Sequence, residues 1–310
     1  MGGPRRRVAC TMRWDLPAVR SRRDRESAVC EIRSRLALAE GEAAVLVLYT
    51  RRPPGRHGLP LVSLVAAVQA ADVPLLDALC VHAGRWWSYL CTDPRCCPPA
   101  GTPLPAPTEP GGASGVAAAA VLAGRTALPS RAALVATLRP VEGAGRAAMD
   151  EALAHRQAEL ATRVAAGATV EEIRAESVQL FRTALRRAAD PSTPLDPATA
   201  ARLLLGVRDV RVRDEVVTWA ERSAASGDAL RSLLTDLVRR AGPDTVAAPA
   251  TMLAWVAYQQ GDGAFAWIAL ERALAADPGY RLALLLDTLL RNGVHPPALR
   301  ARAEAPPPTA

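Results

Sequence analysis

The sequence predicts an α/β N-terminal domain, a small mixed sheet with helices, followed by an all-α domain of helical hairpins. Three observations predict it. Short apolar stretches with strand periodicity occur only before Cys91. The segment Asp93 to Gly115 holds seven prolines and four glycines, too many breakers for regular structure. From Val116 onward apolar residues recur every three or four positions. The expected division is therefore residues 1–110 and 111–310.

Val8, Cys10, Met12 and Trp14 alternate with Ala9, Thr11 and Arg13, predicting a strand that stops at Asp15-Leu16-Pro17. Ser21 to Glu40 carries Val29, Ile32, Leu36 and Ala39 at helical spacing among charges, ending at Gly41. Ala43 to Tyr49 is a continuous apolar run, the pattern of a buried strand. Arg51 to Pro60 is a Pro- and Gly-rich loop, and helical periodicity resumes over Leu61 to Ala71. Leu75 to Val81 and Trp86 to Leu90 form two strand-like runs around Ala83-Gly84, a hairpin signal.

Helices are expected over 116–123, 130–138, 146–165, 169–189, 197–205, 209–225, 228–240, 245–260, 263–276 and 279–291. Gly206, Gly227, Gly242, Gly261 and Gly293 fall at the expected ends, where a left-handed cap is favoured. In Leu253 to Pro278, Ala254, Ala257, Ala266 and Ala273 allow close helix approach, Leu270 fills the gap and Asp277-Pro278 ends the second helix. That spacing resembles one tetratricopeptide-type repeat, with no second copy at 34 residues, and a lone hairpin also serves plain packing.

Composition excludes several chemistries. All 38 basic residues are arginine, so there is no lysine for a phosphate loop, a Schiff base or a protein kinase. The four histidines are dispersed and lack HExxH spacing, and no GxSxG elbow occurs. Six of the seven net positive charges come from residues 1–35, which hold ten Arg against four acids, while the rest holds 28 against 27. Such a distribution argues against nucleic acid, which calls for a continuous basic face. The arginine content itself follows the codon bias of a GC-rich genome. No signal peptide is visible, and the longest apolar runs are about half a membrane span. The expectation is a cytosolic protein with reduced cysteines.

The string Arg85 to Gly101, RWWSYLCTDPRCCPPAG, concentrates the candidate chemistry. Cys91, Cys96 and Cys97 are candidate zinc ligands, with Cys80, His82 or Asp93 as a fourth. Adjacent Cys96 and Cys97 side chains are expected to diverge, which counts against the site. A Cys96–Cys97 disulfide is disfavoured, since consecutive Cα atoms lie only about 3.8 Å apart. Cys91 with either is easier, and Arg85 and Arg95 would favour thiolate. The third alternative is that the three cysteines are small buried hydrophobes in a tight turn.

Other candidates are weaker. Trp86, Trp87 and Tyr89 could stack on bases, but strand alternation divides them between faces. Asp15, Thr50, Arg51 and Arg52 would lie at strand C-terminal ends, where open sheets bind ligands. Gly111, Gly112 and Gly115 follow a linker rather than a strand, against a phosphate cradle. Asp150-Glu151 and Glu171-Glu172 suit helix N-termini, and His155 with Glu159 is a helical neighbour pair.

The cysteine string resembles the hallmark of an actinobacterial family known as domain of unknown function 4192. Arg13-Trp14-Asp15-Leu16-Pro17 is similar to that family's early strand, and Leu128-Pro129-Ser130-Arg131 to a short helix start. Gly261-Asp262-Gly263, Leu270-Glu271-Arg272-Ala273-Leu274 and Pro278-Gly279-Tyr280-Arg281 resemble its C-terminal hairpin. The resemblance brings no activity, substrate or cofactor. It also implies a Pro-rich apolar segment that nothing before Val8 matches, through loss of a sheet edge or an upstream true start.

The function expected is that of a non-catalytic interaction or scaffold protein with an unidentified protein partner. The alternative is metal binding, zinc first, or thiol redox chemistry through Cys91, Cys96 and Cys97.

Overall fold

A computed structural model describes residues 43–51, 73–104, 130–188 and 195–294, with isolated positions outside these stretches. The strand expected over Val8–Trp14 and Asp15 at its end lie outside the described residues, as do the helix over 116–123 and most of that over Ser21–Glu40. Within Leu61 to Ala71, Val65, Ala66, Val68 and Gln69 are described and helical. The chain divides into two compact units, Met1–Ala127 with Asn292–Arg302, and Leu128–Arg291 with Ala303–Ala310. The division expected at residue 110 falls outside the described residues.

The first unit carries a four-stranded mixed sheet in the order β1 (Ala44–Tyr49), β2 (Leu75–His82), β3 (Arg85–Ser88), β4 (Thr102–Pro103). β1 and β2 are parallel; β2–β3 and β3–β4 are antiparallel. Ala83 and Gly84, with φ of 47° and 74°, join β2 to β3 in the two-residue turn whose twist matches a hairpin. Register aligns Leu48 with Cys80 and Cys80 with Trp87. Leu48, Ala78 and Cys80 are buried on that face.

Two expectations are corrected here. The run Ala43 to Tyr49 is not buried on both faces: Val45, Val47 and Tyr49 are exposed, because strand side chains alternate and one face is covered. The Pro- and Gly-rich segment is not wholly irregular either. Thr102 and Pro103 return to pair with β3, at an edge where a proline without an N–H is tolerated.

The second unit is helical, with α1 (Arg131–Ala136), α2 (Gly143–Ala165), α3 (Val170–Ala188), α4 (Pro197–Gly206) and α5 (Val210–Thr218). A 3₁₀ turn (Trp219–Glu221) follows, then α6 (Ala224–Arg240), α7 (Ala247–Gln259), α8 (Gly263–Ala276) and α9 (Arg281–Arg291). Side chains set the starts. Ser130, Asp196, Asp209, Ser223 and Asp262 each accept a first-turn N–H. Thr169 and Glu172 form a reciprocal capping box, Glu172 accepting the Thr169 N–H at 2.8 Å.

Ten of the 13 residues of α7 are buried, which makes it the core helix rather than an amphipathic surface one. α8 packs antiparallel to it through Ala254, Ala257, Ala266 and Ala273, all fully buried, around Leu270. Gly261 and Gly293 adopt the expected left-handed conformation; Gly206 and Gly242 do not. Gly227 lies inside α6, where a Cβ would meet the Ala220 carbonyl at 3.2 Å. The expected helix 209–225 breaks at buried Trp219, and Ser223 then restarts the chain by accepting the Ser226 N–H. Among the described residues, no helix is long and apolar enough to cross a membrane.

Candidate metal centre

β3 delivers the chain into the cysteine turn at Ser88. Its hydroxyl donates to Asp77 Oδ1 at 2.6 Å and accepts the N–H groups of Leu90 and Cys91 at 3.2 and 3.0 Å. The Asp93 carbonyl then accepts both the Cys96 and Cys97 N–H groups, at 3.1 and 2.8 Å. The Asp93 carboxylate accepts the Arg95 N–H at 2.9 Å. This backbone is a tight turn, so consecutive side chains are not forced to opposite sides as in a strand.

The consequence overturns the expected divergence of Cys96 and Cys97. The sulfurs of Cys91, Cys96 and Cys97 all lie within 4.8 Å of one another. Cys91 and Cys97 are half-buried and Cys96 is exposed, so none of the three is a buried packing residue. Among the described residues no fourth histidine, cysteine or carboxylate joins the group. Cys80 is buried in the sheet, His82 donates from Nδ1 to the Thr50 carbonyl at 3.1 Å, and Asp93 is engaged with Arg95.

The thiols are electrostatically unequal. Cys91 is lowered from the ordinary thiol value because the Asp93 N–H and the Cys97 thiol donate to its sulfur. Cys97 is pushed up to about 11 because its proton is held by Cys91, with partial desolvation adding to the shift. Burial raises Cys80 and pushes Tyr89 up to about 12. The lowering of Cys91 is thus a hydrogen-bond effect. Arg85, expected to favour thiolate, donates instead to the Gly101 and Ala100 carbonyls at 2.8 and 3.3 Å.

A family model described as Domain of unknown function (DUF4192) matches residues 1–297. The chain belongs to this family. No curated protein and no solved structure matches it.

In this DUF4192 protein the remaining candidates have structural positions. Trp87 Nε1 donates to the Pro99 carbonyl at 3.1 Å, and its indole lies against Gly101 so closely that a Cβ there would overlap it. Gly101, at φ 78°, therefore permits both the turn and the contact. Trp86 pairs with Val81 and Thr102 on the opposite face, so the tryptophans share no stacking surface. Arg51 is exposed just beyond β1, outside the cysteine group, and Asp15 lies outside the described residues. Glu159 makes its ion pair with Arg156, at 2.8 Å, rather than with His155.

Two segments that carried the family resemblance meet: Arg131 Nη2 donates to both Glu271 oxygens, at 2.7 and 2.8 Å. Sequence reasoning missed Asp77 and Ser88. A lone carboxylate within the apolar run Leu75–His82 was the available signal, since a half-buried acid needs a donor.

Proposed function

We propose that the protein is a non-catalytic metal-binding protein in which Cys91, Cys96 and Cys97 hold one zinc ion. The observation that carries this is the mutual approach of three sulfurs within 4.8 Å. Zinc–sulfur bonds of about 2.3 Å place tetrahedral sulfurs roughly 3.8 Å apart, so each pair closes by at most about 1 Å. A disulfide needs only two converging sulfurs; a third has a purpose in a metal site. Exposed Cys96 leaves one side open, and a water or an exchangeable donor takes the fourth position. Three soft thiolates select zinc over magnesium or calcium. The metal ties the turn to β3 through Cys91 and stabilises it in the folded state.

Anaerobic titration with cobalt(II) tests this. The expected result is thiolate-to-cobalt absorption saturating at one ion per chain, displaced by zinc, with affinity at least about tenfold weaker in Cys96→Ser. Absence of the thiolate band, or its persistence in the triple Cys91→Ser/Cys96→Ser/Cys97→Ser variant, overturns the proposal.

A separate observation favours an interaction role for the helical unit. A groove of about 1200 Å³ runs between α1, the start of α2, the α6–α7 link and α8. Exposed Val135 lies in it over buried Leu138, Val246 and Ile268, and four arginines line it against two carboxylates. Both carboxylates are paired, Glu271 with Arg131 and Asp150 with Arg146, while Arg139 and Arg272 have no carboxylate partner among the described residues. The groove fits an acidic amphipathic helix of roughly ten residues, from a helix diameter near 10 Å and a 1.5 Å rise. Fluorescence anisotropy with a Leu/Glu peptide is expected to show binding that Arg139→Glu weakens. Equal binding of a Leu/Arg peptide contradicts this reading.

A further inference from the structure

Arg156 of α2 is 5% exposed, and its Nε has no hydrogen-bond acceptor among the described residues. Glu159 Oε2 pairs with Nη1 at 2.8 Å, and Arg156 holds that carboxyl below its ordinary value, which leaves Nε as the unmet donor. A buried guanidinium with orphaned donors is costly unless something else accepts from it. Arg156 lines a cavity of about 90 Å³ where α2, α3, α4 and α5 converge, together with Arg174, Ser177, Arg202 and Asp209.

The acceptors in that wall are already engaged. Asp209 takes Arg174 Nε at 2.7 Å on Oδ2 and the Arg211 N–H at 2.9 Å on Oδ1. The Ser177 hydroxyl donates to the Ile173 carbonyl at 2.8 Å. Nearby Glu176 is gripped by both terminal nitrogens of Arg163, each at 2.6 Å. Arg202 is exposed and makes no side-chain hydrogen bond among the described residues. Three guanidinium groups thus line the cavity with one carboxylate, Arg156 and Arg174 also pair outside its lining with Glu159 and Glu171, and Arg156 Nε and the Arg202 head keep unused donors.

We propose that this cavity binds a tetrahedral oxyanion, a phosphate or the phosphoryl group of a larger molecule, held by Arg156 and Arg202. An oxyanion supplies the acceptor that Arg156 Nε lacks, and guanidinium forks match its geometry. The volume is a few times the ~30 Å³ share of one liquid water, so a larger ligand leaves everything but its phosphoryl group outside. The site is independent of the cysteine turn and of the apolar groove.

Equilibrium dialysis of the full chain against radiolabelled inorganic phosphate, with chloride matching the ionic strength, tests it. One phosphate binds per chain, Arg156→Gln abolishes binding, and Arg202→Gln weakens it about tenfold. Arg202 is exposed, so that variant keeps the test valid even if Arg156→Gln fails to fold. Competition by phenyl phosphate at or below the phosphate concentration identifies a phosphoryl-bearing ligand; no competition identifies the free ion. No saturable binding at millimolar phosphate, or binding unchanged in Arg202→Gln, overturns the proposal.

Discussion

The Ser88 hydroxyl donates to Asp77 Oδ1 at 2.6 Å while its oxygen accepts the Cys91 N–H at 3.0 Å. β2 is thereby linked through one side chain to the first cysteine of the turn. Ser88→Ala removes the acceptor for two N–H groups and the donor to a half-buried carboxylate. The expected loss is about 1–2 kcal/mol in denaturant unfolding followed by tryptophan fluorescence, with weaker cobalt binding. Asp77→Asn, which keeps an acceptor oxygen, is expected to lose less.

The unequal thiols make a kinetic prediction for metal-free protein. Cys91 is lowered and Cys97 raised to about 11, so near pH 8 Cys91 carries more thiolate. Iodoacetamide labelling with peptide mapping is expected to modify Cys91 before Cys97. Cys97 also weakens the metal-free fold as pH rises, because its folded value lies above the ordinary 9.0. Its contribution is intact below 9 and lost as pH passes about 11. Prior labelling of Cys97 contradicts the hydrogen-bond direction assigned here.

Ala83 is the non-glycine residue with positive φ among the described residues, at 47°. Its Cβ costs about 1 kcal/mol in that conformation, which asparagine tolerates better. Ala83→Asn is expected to raise the melting temperature of the metal-free protein, and Ala83→Val to lower it. A lower melting temperature for the asparagine variant contradicts the turn assignment.

Local signals made much of this fold legible. Ala83-Gly84 marked the hairpin, and Asp277-Pro278 and the small residues from Ala254 to Ala273 marked the α7–α8 pair. What escaped depended on particular backbone approaches that residue type does not announce. Thr102–Pro103 joins the sheet because β3 offers an open edge, and Gly227 sits in the first turn of α6 because the Ala220 carbonyl approaches there. The cysteines were legible as residue types. Their convergence was not, because it depends on one carbonyl, that of Asp93, accepting two N–H groups.

Asp262 joins the α7–α8 hairpin to α6. Its Oδ1 accepts the Phe265 N–H at 3.1 Å, capping α8, and its Oδ2 accepts from Arg231 at 2.6 Å. Arg231 also donates to Gln260 at 3.0 Å and lies over the Phe265 ring at 4.3 Å. Asp262→Asn keeps a cap oxygen and loses the ion pair, whereas Asp262→Ala loses both. Chemical denaturation is expected to rank the alanine variant lower by about 1 kcal/mol, the usual worth of a cap. Equal losses would mean that the cap contributes nothing.

The most direct test of the zinc site is metal content by mass spectrometry with a parallel thiol count, on protein purified anaerobically without chelator or affinity metal. One zinc per chain, with Cys91, Cys96 and Cys97 shielded from thiol reagent until the metal is removed, is the predicted result. Metal-free protein whose three thiols react at once, and which takes up no zinc when it is supplied, would contradict it.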